Sequence, residues 1–120
     1  MNKLTRKLTE KYLLESKENK STRFMLFTAE WCDACKDINV LFDNQSKKFI
    51  DNAIFEKIDV DDESSDSFTI EYKIVKIPTI VIIANGKVKK YINEQITHEL
   101  FNETIIPRKT PEFANILISQ

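Results

Sequence analysis

The stretch Trp31-Cys32-Asp33-Ala34-Cys35-Lys36 decides how the rest of the chain is read. It holds both cysteines, two residues apart, where the apolar run Phe24-Met25-Leu26-Phe27 gives way to a helical pattern. A short uninterrupted apolar run is the mark of a strand buried on both faces of a sheet. From 33 to 50, Ile38, Leu41, Phe42 and Phe49 fall on one helical stripe. Asp33 and Asp37 lie near its start, where the helix dipole favours negative charge. A thiol at that position feels the positive end of the dipole and unpaired backbone N–H groups, both of which favour the thiolate. The second sulfur then sits one turn on, beneath the first, and the pair closes reversibly while the first faces solvent.

That arrangement suits thiol–disulfide exchange. Cys32 is the expected attacking thiol and Cys35 the expected resolving one, displacing the product from a mixed disulfide. Trp31 is expected to cover one side of the pair. Three other readings stand beside this one. Zinc needs about four ligands, and only His98 is available besides the two cysteines, so no metal site is expected. A permanent disulfide across two residues closes too small a loop to constrain much unfolded-chain entropy. Two inert buried thiols leave the strand–helix junction unexplained.

Working outward, residues 3–18 read as a helix, with Leu4, Leu8 and Tyr12 four apart. Residues 53–60 form a second strand, parallel to the first because a helix joins them. The polar stretch Asp61-Asp62-Glu63-Ser64-Ser65-Asp66 starts a short helix carrying Phe68 and Tyr72. Its acidic residues lack the spacing of a calcium loop and read as a solvated turn with a helix cap. Beyond Pro78 come a strand over 79–84, the hairpin signal Asn85-Gly86, and a strand over 87–92 whose Lys87, Lys89 and Lys90 suit a sheet edge. A last helix, 95–106, carries Ile96, Leu100, Phe101 and Ile105; His98 on it reads as solvated. The order α-β-α-β-α-β-β-α gives an α/β protein with a mixed four-stranded sheet and helices on both faces.

One domain over 1–120 is expected, with an N-terminal helix (1–21), a core (22–106) and an extension (107–120). Pro107 and Pro111 bracket a kink, and Phe113, Ile116, Leu117 and Ile118 are too apolar for a free tail, so the extension is expected to dock on the body or on a partner. Lys+Arg 18 against Asp+Glu 19 gives a net charge of -1, which implies neither nucleic acid nor an anionic membrane surface as partner. The longest apolar run, Ile80 to Ala84, is far short of the ~20 residues of a membrane span. Met1 to Leu8 are basic without an apolar signal core, so a cytoplasmic protein is expected.

The motifs together resemble the thioredoxin superfamily, thioredoxins more than glutaredoxins. The pieces are Phe24 to Phe27 followed by Thr28-Ala29-Glu30-Trp31-Cys32-Asp33-Ala34-Cys35-Lys36, then Lys57-Ile58-Asp59-Val60-Asp61, Tyr72-Lys73-Ile74 leading to Ile77-Pro78-Thr79, and Asn85-Gly86. The resemblance implies a cis-proline at Pro78 facing the cysteines. It also implies a docking groove of Trp31, Ile77 and Pro78, in which the Ile77 backbone pairs with an extended substrate strand. Four departures stand out. The buried acid expected six residues before the first cysteine is Leu26, although its partner Lys57 remains, so Cys35 resolves more slowly or uses Glu30 or water. Asp33-Ala34 replaces the usual Gly-Pro, and a carboxylate beside Cys32 makes the thiol less acidic and the couple more reducing. The groove glycine is Asn93 or Glu94, and the helix 3–18 stands in place of the usual first strand.

The resemblance implies a protein-disulfide oxidoreductase, without a bound cofactor, that acts on disulfide-containing proteins and is recharged by a separate reductase. Two alternatives are a binding module of this fold with vestigial redox activity, docked on a partner assembly, and an oxidase or isomerase outside the reducing cytosol.

Overall fold

The computed structural model describes residues 3–105. The expected docking of Phe113, Ile116, Leu117 and Ile118 therefore lies outside the described residues. The elements are α1 (Lys3–Glu18), β1 (Thr22–Thr28), α2 (Asp33–Lys48), β2 (Ala53–Asp59), α3 (Asp66–Glu71), β3 (Thr79–Ala84), β4 (Lys87–Ile92) and α4 (His98–Ile105). Short 3-10 turns, Glu63–Ser65 and Asn93–Gln95, precede α3 and α4. The second of these shortens the helix expected from 95.

The sheet order is β2-β1-β3-β4. β1 and β2 run parallel, with Leu26 opposite Lys57 and Thr28 opposite Asp59. β3 is antiparallel to β1 and to β4. The two apolar strands β1 and β3 take the centre and are covered on both faces, as their continuous hydrophobic runs require. Lysine-rich β4 takes an edge, where charge discourages pairing with other chains. Asn85 and Gly86 both adopt positive φ, 52° and 75°, the backbone a two-residue hairpin demands.

Alternation along β1 sends its side chains to two cores. Phe24 and Leu26 join Phe42, Phe49, Phe101 and Ile105 under α2 and α4. Met25 and Phe27 join Tyr72, Val81 and Ile83 under α1 and α3. Four phenylalanines hold the first core together, with Phe101 5.0 Å from Phe24 and 6.1 Å from both Phe42 and Phe55.

The inward face of α1 keeps part of the Leu4, Leu8, Tyr12 stripe, since Tyr12 and the neighbouring Leu13 pack on the second core. Leu4 is 71% exposed, while Thr5, Thr9 and Ser16 are buried. The hydroxyls of Thr9 and Tyr72 share a hydrogen bond of 2.6 Å, and Ser16 Oγ accepts the Gly86 N–H at 2.9 Å. Polar partners from α3 and the hairpin thus select the buried face, because each buried hydroxyl must be bonded.

Candidate active site

Strand β1 ends at Thr28 and the chain crosses Ala29, Glu30 and Trp31 before α2 begins. Cys32 is the N-cap of α2, with extended φ and ψ of −86° and 105°, and no side chain caps the helix there. The position where Ser or Asp usually offers an acceptor to free N–H groups is therefore occupied by sulfur, which accepts best as thiolate. The Cys32 N–H donates to Ala29 O at 3.2 Å, and the Cys35 N–H donates to Cys32 O at 3.1 Å. These bonds fold the pair into the first helical turn. The two sulfurs are joined as a disulfide, with Cα atoms 5.2 Å apart. Cys32 is 6% exposed and Cys35 wholly buried, so solvent meets the first sulfur alone. Ala29 packs with both, and Val60 and Ile77 close the shell.

The Ile77–Pro78 peptide is cis, and the Ile77 carbonyl oxygen lies 4.0 Å from Cys32 Sγ. Residues 45 apart in the chain thus meet at the disulfide. Beside it runs a groove of about 290 Å³ lined by Trp31, Val60, Ile74, Val75 and Ile77. Trp31 is anchored at the mouth of this groove. Its indole N–H donates to Asp61 Oδ2 at 2.7 Å, and the side chain stays 67% exposed along the groove. Pro78 is fully buried, and its carbonyl accepts the Asn93 N–H at 3.0 Å. Asn93 has a φ of 32°, left-handed backbone that favours glycine, which makes it the better match to the groove glycine than Glu94. A larger cavity, about 520 Å³, lies against Lys20, Lys87, Lys89 and Tyr91, and neither cysteine lines it.

The residues expected to tune the pair fall out differently. Asp33 is solvated and forms an ion pair with Lys36 at 3.2 Å, and Glu30 and Ala34 are exposed. Leu26 is wholly buried in the apolar core. Lys57, its register partner, turns to α2 and binds Asp43 Oδ1 at 2.8 Å. With a hydrocarbon opposite it, the Lys57 ammonium takes its ion-pair partner from α2. Sequence reading missed Asn39, whose Nδ2 donates to Thr28 Oγ1 at 3.1 Å and whose buried Oδ1 has no hydrogen-bond partner. Its place four residues after Cys35 was the available signal, since such residues share a helix face. Asp62 caps the 3-10 turn, and its hydrogen bonds from Ser64 hold its carboxyl below the usual carboxylate range, as a solvated cap requires. His98 is exposed. Among the described residues no group of three or more His, Cys, Asp or Glu side chains could hold a metal ion, and no helix is long and apolar enough to cross a membrane.

Comparison with known proteins agrees with this geometry. The chain is 38% identical over 74 residues to thioredoxin H4 of Arabidopsis thaliana, covering 62% of this chain and 60% of that protein, less than two thirds of its length. Thioredoxin H5 of the same plant is 33% identical over 90 residues, covering 68% of this chain and 74% of the relative. The X-ray structure of Fasciola hepatica thioredoxin superposes with a TM-score of 0.63 at 27% identity, covering 83% of this chain and 90% of that one. Oxidised thioredoxin O1 of A. thaliana gives 0.66 at 20% identity over 79% of this chain and 87% of that one, a likeness of fold. The thioredoxin family model matches residues 4–106, a span that takes in the paired cysteines, the cis-proline and the sheet that joins them, and the chain belongs to that family.

Proposed function

We propose that the chain is a thiol–disulfide oxidoreductase that reduces or exchanges the disulfides of protein substrates. The observation that carries this reading is the Cys32–Cys35 disulfide, capping a helix and edged by the Ile77 main chain, with one sulfur reachable and its partner buried. In the reduced protein the Cys32 thiolate attacks one sulfur of a substrate disulfide. The attacked sulfur stays bonded to Cys32 as a mixed disulfide, and the other substrate sulfur leaves as thiolate and takes a proton. Cys35, deprotonated, then attacks Cys32 Sγ and displaces the second substrate thiolate, which is protonated in turn. Two electrons pass to the substrate, and the protein ends as the disulfide.

The apolar groove of Trp31, Ile74, Val75 and Ile77 supports an extended peptide as the substrate segment, paired through the Ile77 backbone. Asp33 opposes thiolate formation at Cys32 only weakly, because it is solvated and paired with Lys36. Recharging falls to a separate reductase, and the fitting location is a reducing cytoplasm, where the protein takes part in redox homeostasis by electron transfer. The binding-module reading is not favoured, since the two sulfurs meet at bonding distance.

Turnover of insulin with dithiothreitol tests the proposal. Cys32→Ser is expected to abolish it, and Cys35→Ser to trap a mixed disulfide with the substrate. Activity that persists without Cys32 overturns it.

A further inference from the structure

Among the described residues three buried side-chain oxygens lack a hydrogen-bond partner, and one of them, on Asn39, follows Cys35 by four residues on α2. Asn39 stands one turn beyond Cys35 on α2, and its Nδ2 is committed to Thr28 Oγ1 at the end of β1. Thr28 is followed directly by Ala29, which packs on both cysteines. The remaining amide oxygen, Oδ1, is buried and unpartnered. Helical residues four apart have Cβ atoms about 5–6 Å from each other, and the later side chain leans back toward the earlier one. Asn39 therefore leans toward Cys35. In the disulfide state Cys35 carries no proton, and a desolvated acceptor goes uncompensated. Reduction places an S–H at a site with no exposure.

Resting on the oxidoreductase reading, we propose that Asn39 is a positioning residue for the resolving thiol, its Oδ1 accepting the Cys35 S–H in the dithiol form. An amide does not take up the proton; it holds it on sulfur and fixes the direction of the thiol. When the mixed disulfide is resolved, the proton passes from Cys35 to solvent, the Cys35 thiolate bonds to Cys32 Sγ, the Cys32–substrate bond breaks, and the departing substrate thiolate is protonated. The hydrogen bond exists in the dithiol and is lost in the disulfide. Asn39 thus favours the reduced protein and makes Cys35 harder to ionise, because the bond serves the neutral form.

The test compares the protein with Asn39→Leu, which keeps similar bulk and removes both polar atoms. Equilibration with glutathione redox buffers is expected to show the Leu variant holding its disulfide about fivefold more firmly, the worth of one ordinary net hydrogen bond. On the scale of about 30 mV per tenfold for a two-electron couple, that is a potential ~20 mV more negative. The second readout is infrared. In Cys32→Ser the sole thiol is Cys35, and its S–H stretching band is expected at the lower frequency of a bonded thiol, moving up on addition of Asn39→Leu. That first band needs no change at Asn39 and so stands even where the Leu variant fails to fold. A wild-type protein that does not exchange with glutathione refutes the oxidoreductase reading and this proposal with it. Normal exchange, with a free-thiol band or an unshifted potential, refutes the role of Asn39 alone.

Discussion

Replacing Leu26 by aspartate asks how dry the core between β1 and α2 is. Leu26 has no exposed surface and packs in one cluster with Phe24, Phe42 and Ile80. Truncating a buried leucine costs about 2–5 kcal/mol, and burying a polar group without a full set of partners adds about 1–3 kcal/mol. The cation opposite it in register, Lys57, is already bound to Asp43 at 2.8 Å. The expected loss for Leu26→Asp is therefore about 3–8 kcal/mol with the carboxyl protonated, a large part of the ~5–15 kcal/mol that holds a typical domain together. The loss must also grow with pH. Burial raises the folded pKa of the new carboxyl above its unfolded value near ~3.9, so the folded state keeps a proton that the unfolded state releases. Stability relative to wild type then falls by about 1.4 kcal/mol for each pH unit between the unfolded and folded values. Urea titrations of both proteins at pH 5 and pH 7 read the effect directly. A penalty below ~1 kcal/mol, or one that is equal at the two pH values, refutes the reasoning, because it means that water or a reoriented Lys57 already serves the site.

Tyr72→Phe removes the buried hydroxyl bonded to Thr9 and is expected to cost about 1 kcal/mol in urea unfolding at pH 7. Burial raises the Tyr72 phenol above its usual pKa, so its contribution is complete below that value and is lost as pH rises through the higher folded one. Wild type should accordingly weaken in strong alkali more than Tyr72→Phe does, and parallel curves from pH 8 to 11 count against it. Phe101→Ala empties the centre of four packed rings and is expected to cost ~3–5 kcal/mol, with amide exchange fastest in α4; a cost under ~1.5 kcal/mol means that the ring cluster collapses freely. Asp61→Ala releases the indole of the chain's single tryptophan, and an unchanged emission spectrum rules the Trp31–Asp61 bond out in solution.

Much of this architecture was legible because the deciding residues act locally. Phe24 to Phe27 and Ile80 to Ile83 announce strands covered on both faces, and Asn85-Gly86 can form its turn without help from elsewhere. The cysteine pair was legible for the same reason, since its chemistry follows from standing at the first turn of α2. What escaped depends on partners far away in the chain. Of the stripe Leu4, Leu8, Tyr12 in α1, Tyr12 packs on the core while Leu4 faces solvent, because Tyr72 and Gly86 offer bonding partners to Thr9 and Ser16 and draw their side of the helix inward. Lys57 and Asp43 belong to different elements, so their pairing has no sequence signature. Asn39 looks like any polar residue on a solvated helix until Thr28 is found beneath it.

The meeting of Cys32 with the Ile77 carbonyl has a bearing on how this protein can be studied. One half of the site follows the end of β1 and the other leads into β3, its antiparallel neighbour, and nothing short of these assembled central strands brings them together. Catalytic turnover is accordingly a gauge of tertiary integrity. Peptides ending before β3 would carry both thiols, yet present a bare dithiol without the Ile77 wall beside it.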